Sequence, residues 1–118
     1  MARLDELFKA AGEPTRLRIL NLLRAGSICV CDLQQILKLP QPTVSRHLAA
    51  LRHAGLVVDA RIGPRVIYSL APATTPLAKL FLEFLATGCA QAEELLPDLA
   101  RLKDLVVRRN PLGEGAHA

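Results

Sequence analysis

Two prolines with one residue between them constrain this chain more than any other feature. Pro40 and Pro42 stand in the stretch Lys38-Leu39-Pro40-Gln41-Pro42. Proline lacks a backbone N–H and pushes the residue before it out of the helical region, so no continuous helix crosses this segment. Apolar residues recur at helical spacing on both sides: Leu33, Ile36 and Leu37 before it, Val44, Leu48 and Leu51 after it. The spacing predicts a short helix from about residue 30 to 37, a tight turn, and a second helix that ends at Ala54-Gly55. Pro42 falls in that second helix's first turn, where a missing N–H costs nothing.

The flanking segments complete the outline. Leu4, Leu7, Phe8 and Ala11 mark one face of a short helix that Gly12 ends. Glu13-Pro14-Thr15 opens another, with Leu17, Ile19, Leu20, Leu22 and Leu23 as a broad apolar face and Arg16, Arg18 and Arg24 on the solvent side. Gly26 stops it. Ser27-Ile28 is a brief extended lead into the helix at 30. Downstream, residues 56–62 and 65–70 are β-branched and extended, and Gly63-Pro64 between them is a turn signal. They form an antiparallel hairpin.

After a loop at 71–76 comes a long helical stretch with an apolar stripe of Leu77, Leu80, Phe81, Phe84 and Leu85. Pro97 kinks or restarts it. Leu99, Leu102, Leu105 and Val106 carry the apolar face on to about Arg109. Residues 1–109 thus read as one domain, mainly α with a small β-hairpin, and 110–118 as a flexible tail. Small domains bury a limited share of their surface. The high apolar content of a 118-residue chain therefore points to apolar surface buried between subunits.

Short helix, turn, helix and basic hairpin follow one another in the order of a winged helix-turn-helix. In that architecture the second helix enters the DNA major groove and presents its N-terminal residues to base edges. Here those are Gln41, Thr43, Ser45, Arg46 and His47. Gln pairs with adenine, Arg with guanine, and the hydroxyls serve bases or phosphates. Arg61 and Arg65 flank the hairpin tip and suit phosphate or minor-groove contact. The net charge of +4 agrees with a polyanionic partner, double-stranded DNA. His53 is read as a surface or structural residue.

The other chemistry lies in Cys29-Val30-Cys31-Asp32-Leu33. Soft thiolates select thiophilic ions. A helix N-terminus stabilises anions, which lowers a thiol's pKa and favours the ligating form. Side chains two positions apart on a regular helix point about 200° from each other. The two sulfurs meet one ion only if the helix begins at or after Cys31, or if binding unwinds its first turn. Cys89, beside Gly88 and Ala90, is a candidate third ligand or a small buried helix residue.

Other classes find less support. A cysteine nucleophile needs a positioned base. No such arrangement and no Gly-rich phosphate loop is legible, so the chain reads as no enzyme and as using no organic cofactor. No run of about 18 apolar residues is present, so no membrane span is expected. The acidic N-terminal residues do not fit a signal peptide, and the expected location is the cytoplasm, where the three cysteines are free thiols or ligands.

These features together resemble the ArsR/SmtB family of dimeric metal-sensing repressors. The resemblance is carried by residues 13–20 (Glu-Pro-Thr-Arg-Leu-Arg-Ile-Leu), 29–33, 41–48, 51–57 and the wing at 63–68. Within the family, Cys-Val-Cys-Asp-Leu resembles the arsenical-responsive repressors. The resemblance implies a homodimer, joined through the first and last helices, that leaves its operator when As(III) or Sb(III) binds Cys29 and Cys31. The family often has a further cysteine three residues after the second; this chain has Gln34 there. The family's alternative zinc site on the last helix needs histidine, and residues 76–96 contain none. A thiol-based redox or persulfide-sensing repressor of the same fold is the alternative.

Overall fold

The computed structural model describes residues 3–72 and 75–109. The expected tail at 110–118 lies outside the described residues. Helix α1 (Leu4–Ala11) leads into α2 (Pro14–Leu23), which Glu13 caps by accepting hydrogen bonds from the amides of Thr15 and Arg16 at 3.0 and 3.1 Å. Two residues, Ile28–Cys29, form strand β1. Helices α3 (Val30–Leu37) and α4 (Gln41–His53) follow, then β2 (Val57–Ile62), β3 (Arg65–Leu70), α5 (Pro76–Gln91), a 3₁₀ turn (Glu93–Leu95) and α6 (Leu96–Arg109).

The turn between α3 and α4 depends on Lys38, whose φ of 58° places it in the left-handed region at the end of α3. Pro40 then caps α4 in extended conformation, and Gly55 leaves it at φ 83°. Between the strands, Gly63 takes φ 60°, the first central position of a two-residue hairpin loop, where glycine is favoured.

Helix α2 lies at the centre. Ile19, Leu20 and Leu22 are fully buried against Leu33 of α3, Val44, Leu48 and Leu51 of α4, and Leu56 and Val57 leading into the hairpin. The buried face of α4 is the one its spacing predicts, and it fixes which side of that helix faces outward.

The structure departs from the sequence reading in three ways. The hairpin is a three-stranded sheet of order β1-β3-β2, because Ile28 pairs with Tyr68 and Cys29 with Ile67. A two-residue strand has too little alternation to be read from sequence. The long C-terminal helix is two helices. The break falls at Ala92 (φ −94°, ψ 105°), before Pro97, which sits in the first turn of α6. Finally, two of the arginines of α2 turn inward. Arg18 grips Asp98 through Nε and Nη2 at 2.8 and 2.9 Å, and Arg16 Nε donates to the Ala10 carbonyl. Arg24, exposed on the surface, donates to the side chain of Asn21, which is itself buried and bonded to the Leu95 carbonyl.

Helix α6 therefore folds back on its own chain. Asp98 also accepts from Arg101 at 3.2 Å, and Arg109 makes a two-pronged pair with Asp32 at 2.5 and 2.6 Å. Helix α5 behaves differently: Phe81 is buried, whereas Leu80 and Phe84 are 65% and 61% exposed. Leu4 and Phe8 of α1 are exposed as well, and the Phe8 ring meets those of Phe81 and Phe84 edge to face at 5.0 and 6.2 Å. Among the described residues no helix is long and apolar enough to cross a membrane.

Candidate thiol site and nucleic-acid interface

Cys29 is the N-cap of α3, in extended conformation (φ −76°, ψ 154°), and Cys31 lies in the helix's first turn. Because Cys29 stands outside the helix, its side chain is not held to the 200° offset of two helical residues. Their sulfurs are 2.7 Å apart with no unwinding. The helix starts at Val30, one residue before the earliest start the sequence reading allowed for a shared ion without unwinding. The strand pairing of Cys29 with Ile67 fixes this start, because it holds the backbone extended up to that residue.

Cys29 is buried and Cys31 exposed. Burial pushes the Cys29 thiol up to about 11, and its hydrogen bond with Cys31 and the charge of Asp32 add to the rise. The expected lowering by the helix terminus thus fails for Cys29, since desolvation of the thiolate outweighs the one backbone hydrogen bond that favours it. At neutral pH Cys29 is a thiol and must lose its proton on binding a soft ion.

Asp32 is the member of the group that sequence reasoning missed. One ligating atom from each of Cys29, Cys31 and Asp32 lies within 4.8 Å of the others. Burial pushes the Asp32 carboxyl up, but hydrogen bonds from Arg109 and Cys29 and the charges of Arg109 and Arg65 hold it below its ordinary value. The sequence placed Asp32 next to Cys31 and gave no hint of Arg109, 77 residues away. Cys89 is not in the group. It is buried in α5 with Arg24 as its charged neighbour, and burial raises its pKa.

The donor set suits a trivalent pnictogen in part. Two adjacent sulfurs could supply two of its three bonds, with Cys31 the solvent-exposed member of the pair. Both oxygens of Asp32 are already held by Arg109. A hard, engaged carboxylate is a poor third partner for a soft ion.

A cavity of about 350 Å³ adjoins the sulfurs. Its walls include Cys29, Cys31 and Gln34 of the thiol region, Gln41 and Ser45 of α4, and Arg65 of the wing. Thiols, recognition helix and wing therefore share one cleft.

Of the residues expected to face DNA, Arg46 and Gln41 are exposed, the Gln41 amide donating to Ser45 Oγ at 3.0 Å. Thr43 and Ser45 are half-buried, and Arg61 and Arg65 are exposed at the hairpin tip. His47 is placed differently from the others. Its Nδ1 lies 3.2 Å from Glu13 and 3.4 Å from Arg16, which ties the side of α4 to the start of α2. His53, seven residues after Arg46 and so on the same helix face, is exposed. Helical phase was the available signal for both histidines.

Residues 13–58 match the family described as bacterial regulatory protein, arsR family. The arsenic resistance transcriptional regulator ArsR1 of Pseudomonas putida is 40% identical over 100 residues, covering 84% of this chain and 77% of that protein. Among solved structures, the transcriptional repressor BigR of Xylella fastidiosa superposes with a TM-score of 0.63 at 30% identity, covering 76% of this chain and 87% of that one. The homodimeric winged helix-turn-helix domain of Mb0332 from Mycobacterium bovis gives 0.62 at 30% identity, covering 72% and 77%. The fold, the exposed face of α4 and these relatives converge on one conclusion: the chain belongs to the arsR family of bacterial regulatory proteins and is a transcriptional repressor with a DNA-binding winged helix-turn-helix.

Proposed function

We propose that the chain is a cytoplasmic homodimeric repressor that leaves its operator when Cys29 and Cys31 capture As(III) or Sb(III). The single observation that carries this reading is the shared cleft, with the thiols on one wall and Gln41, Ser45 and Arg65 on the others. A change at the sulfurs acts directly on two elements that meet DNA. The arsenic-resistance role of the Pseudomonas putida relative supports the choice of ion.

In this reading Arg46 and Gln41 address base edges, Thr43 and Ser45 bases or phosphates, and Arg61 and Arg65 the backbone beside the groove. His47, with Glu13, sets the pitch of α4 rather than reading sequence. The exposed Leu4, Phe8, Leu80 and Phe84 bury one another across the two-fold axis. Dimerisation presents two copies of α4 to major grooves one helical turn apart. Cys29 and Cys31 hold the ion, and Cys89 stays a core residue.

The sulfur contact of 2.7 Å also supports the alternative, a repressor that responds to thiol oxidation or persulfides. The raised Cys29 pKa weighs against it, because low-pKa thiols are the ones oxidised readily. Titration of the operator complex decides between them. Arsenite should release wild-type protein and leave Cys31→Ser bound. Release by peroxide or polysulfide with no response to arsenite would establish the alternative.

A further inference from the structure

The thiol site supplies two sulfurs to an ion that takes three. Among the described residues no third sulfur joins the group, the position three residues on is Gln34, and both oxygens of Asp32 are held by Arg109. The space next to the pair is instead a cavity of about 350 Å³, within the size range of small-molecule sites. Gln34 and Gln41 offer amides there. Arg65, whose exposed guanidinium acts on Asp32 through its charge, offers a cation.

We propose that the third bond comes from a low-molecular-weight thiol carrying a carboxylate, which lies in this cavity with its carboxylate against Arg65. The proposal rests on the metalloid reading above and adds the chemical form in which the ion is held. Cys29, Cys31 and the small thiol each give a proton to one hydroxide leaving arsenite. Three S–H and three As–O bonds are replaced by three As–S bonds and three waters, and arsenic stays trivalent throughout.

The arrangement also explains how occupancy reaches DNA. A carboxylate on Arg65 neutralises a cation at the wing, and a group beside Gln41 and Ser45 stands where the recognition helix meets the groove. Loss of a phosphate contact weakens DNA binding whatever the base sequence.

The test is native mass spectrometry of the full chain with arsenite and either mercaptoacetate (anionic) or cysteamine (cationic). The expected product has the mass of protein, one arsenic and one mercaptoacetate. The ratio of mercaptoacetate to cysteamine adduct should fall about five- to tenfold in Arg65→Gln, the scale of one exposed ion pair exchanged for a repulsion. Arg65 lies on the exposed wing, so this variant folds. Arsenic bound at full occupancy without any small thiol overturns the proposal. So does a thiol ratio that Arg65→Gln leaves unchanged. Absence of bound arsenic under every condition overturns the metalloid reading itself, and the proposal with it.

Discussion

Helices α5 and α6 are neighbours in sequence with similar apolar spacing, yet they bury their faces against different things. Helix α6 turns its face onto its own chain, with Leu105 buried and Asp98 and Asp32 held by Arg18, Arg101 and Arg109. Helix α5 anchors only Phe81 and Cys89 fully and leaves Leu80 and Phe84 outward, with Phe8 against Phe84. Apolar periodicity announces a face to be covered and does not name its partner. Buried charge does: Asp98 and Asp32 are each paired with arginines of their own chain, whereas the outward side of α5 shows Leu80 and Phe84 with Glu83 at their edge, an apolar centre with a polar rim as at a subunit interface.

The largest effect is expected from replacing Leu80 and Phe84 with Asp. The double variant should sediment as a monomer, keep its helical circular dichroism, and lose about 100- to 10,000-fold in apparent operator affinity as two linked reading heads become one. An intact dimer by light scattering would break the comparison at its α5 side. Next in size is Asp98→Asn. It leaves Arg18 and Arg101 facing a neutral amide, and urea unfolding should show a loss of about 2–3 kcal/mol, less than for a fully buried pair because Arg18 keeps some solvent. Dimerisation of the variant, measured where it is folded, should be unchanged.

The smallest effect concerns Asp32 and Arg109. Asp32 has a lowered pKa in the folded chain, so its pair stabilises α6 above the unfolded carboxylate range and ceases to do so as pH falls through it. Stability should be level down to about pH 5 and decline below about pH 4. In Arg109→Gln that decline should be shallower, and Tm at neutral pH lower by the equivalent of about 1 kcal/mol or less, since Arg109 is half exposed. An acid decline identical in both proteins would remove this pair from the closure of α6.

The helix-turn-helix was legible in the sequence because Pro40, Pro42 and the spacing of Val44, Leu48 and Leu51 leave one arrangement. The wing was legible from Gly63-Pro64 between β-branched runs. Strand β1 was not, because two residues carry no period, and it is what brings the Cys29 and Cys31 sulfurs together. Asp32 was adjacent to the predicted thiols, but its role depends on Arg109, and pairing over 77 residues leaves no local trace. His47 was assigned to the reading face by its neighbours in the sequence. Its contact with Glu13 follows from its phase on the helix, next to the stripe that packs on α2.

Strand β1 has a kinetic consequence. It is a two-residue edge strand held to β3 through Ile28 and Cys29, and it joins the thiol site to the same strand that begins at Arg65. So short a ladder opens far more often than the helical core unfolds. Arg65 precedes Ile67 on β3 by two residues, at the hairpin tip, where it pairs with Ile62 of β2. Movement of Cys29 therefore reaches the wing through main-chain hydrogen bonds while α2 and its leucines stay packed. Amide hydrogen exchange in β1 and at the tip of β3 should respond together to a thiol ligand, on a timescale much shorter than exchange in α2.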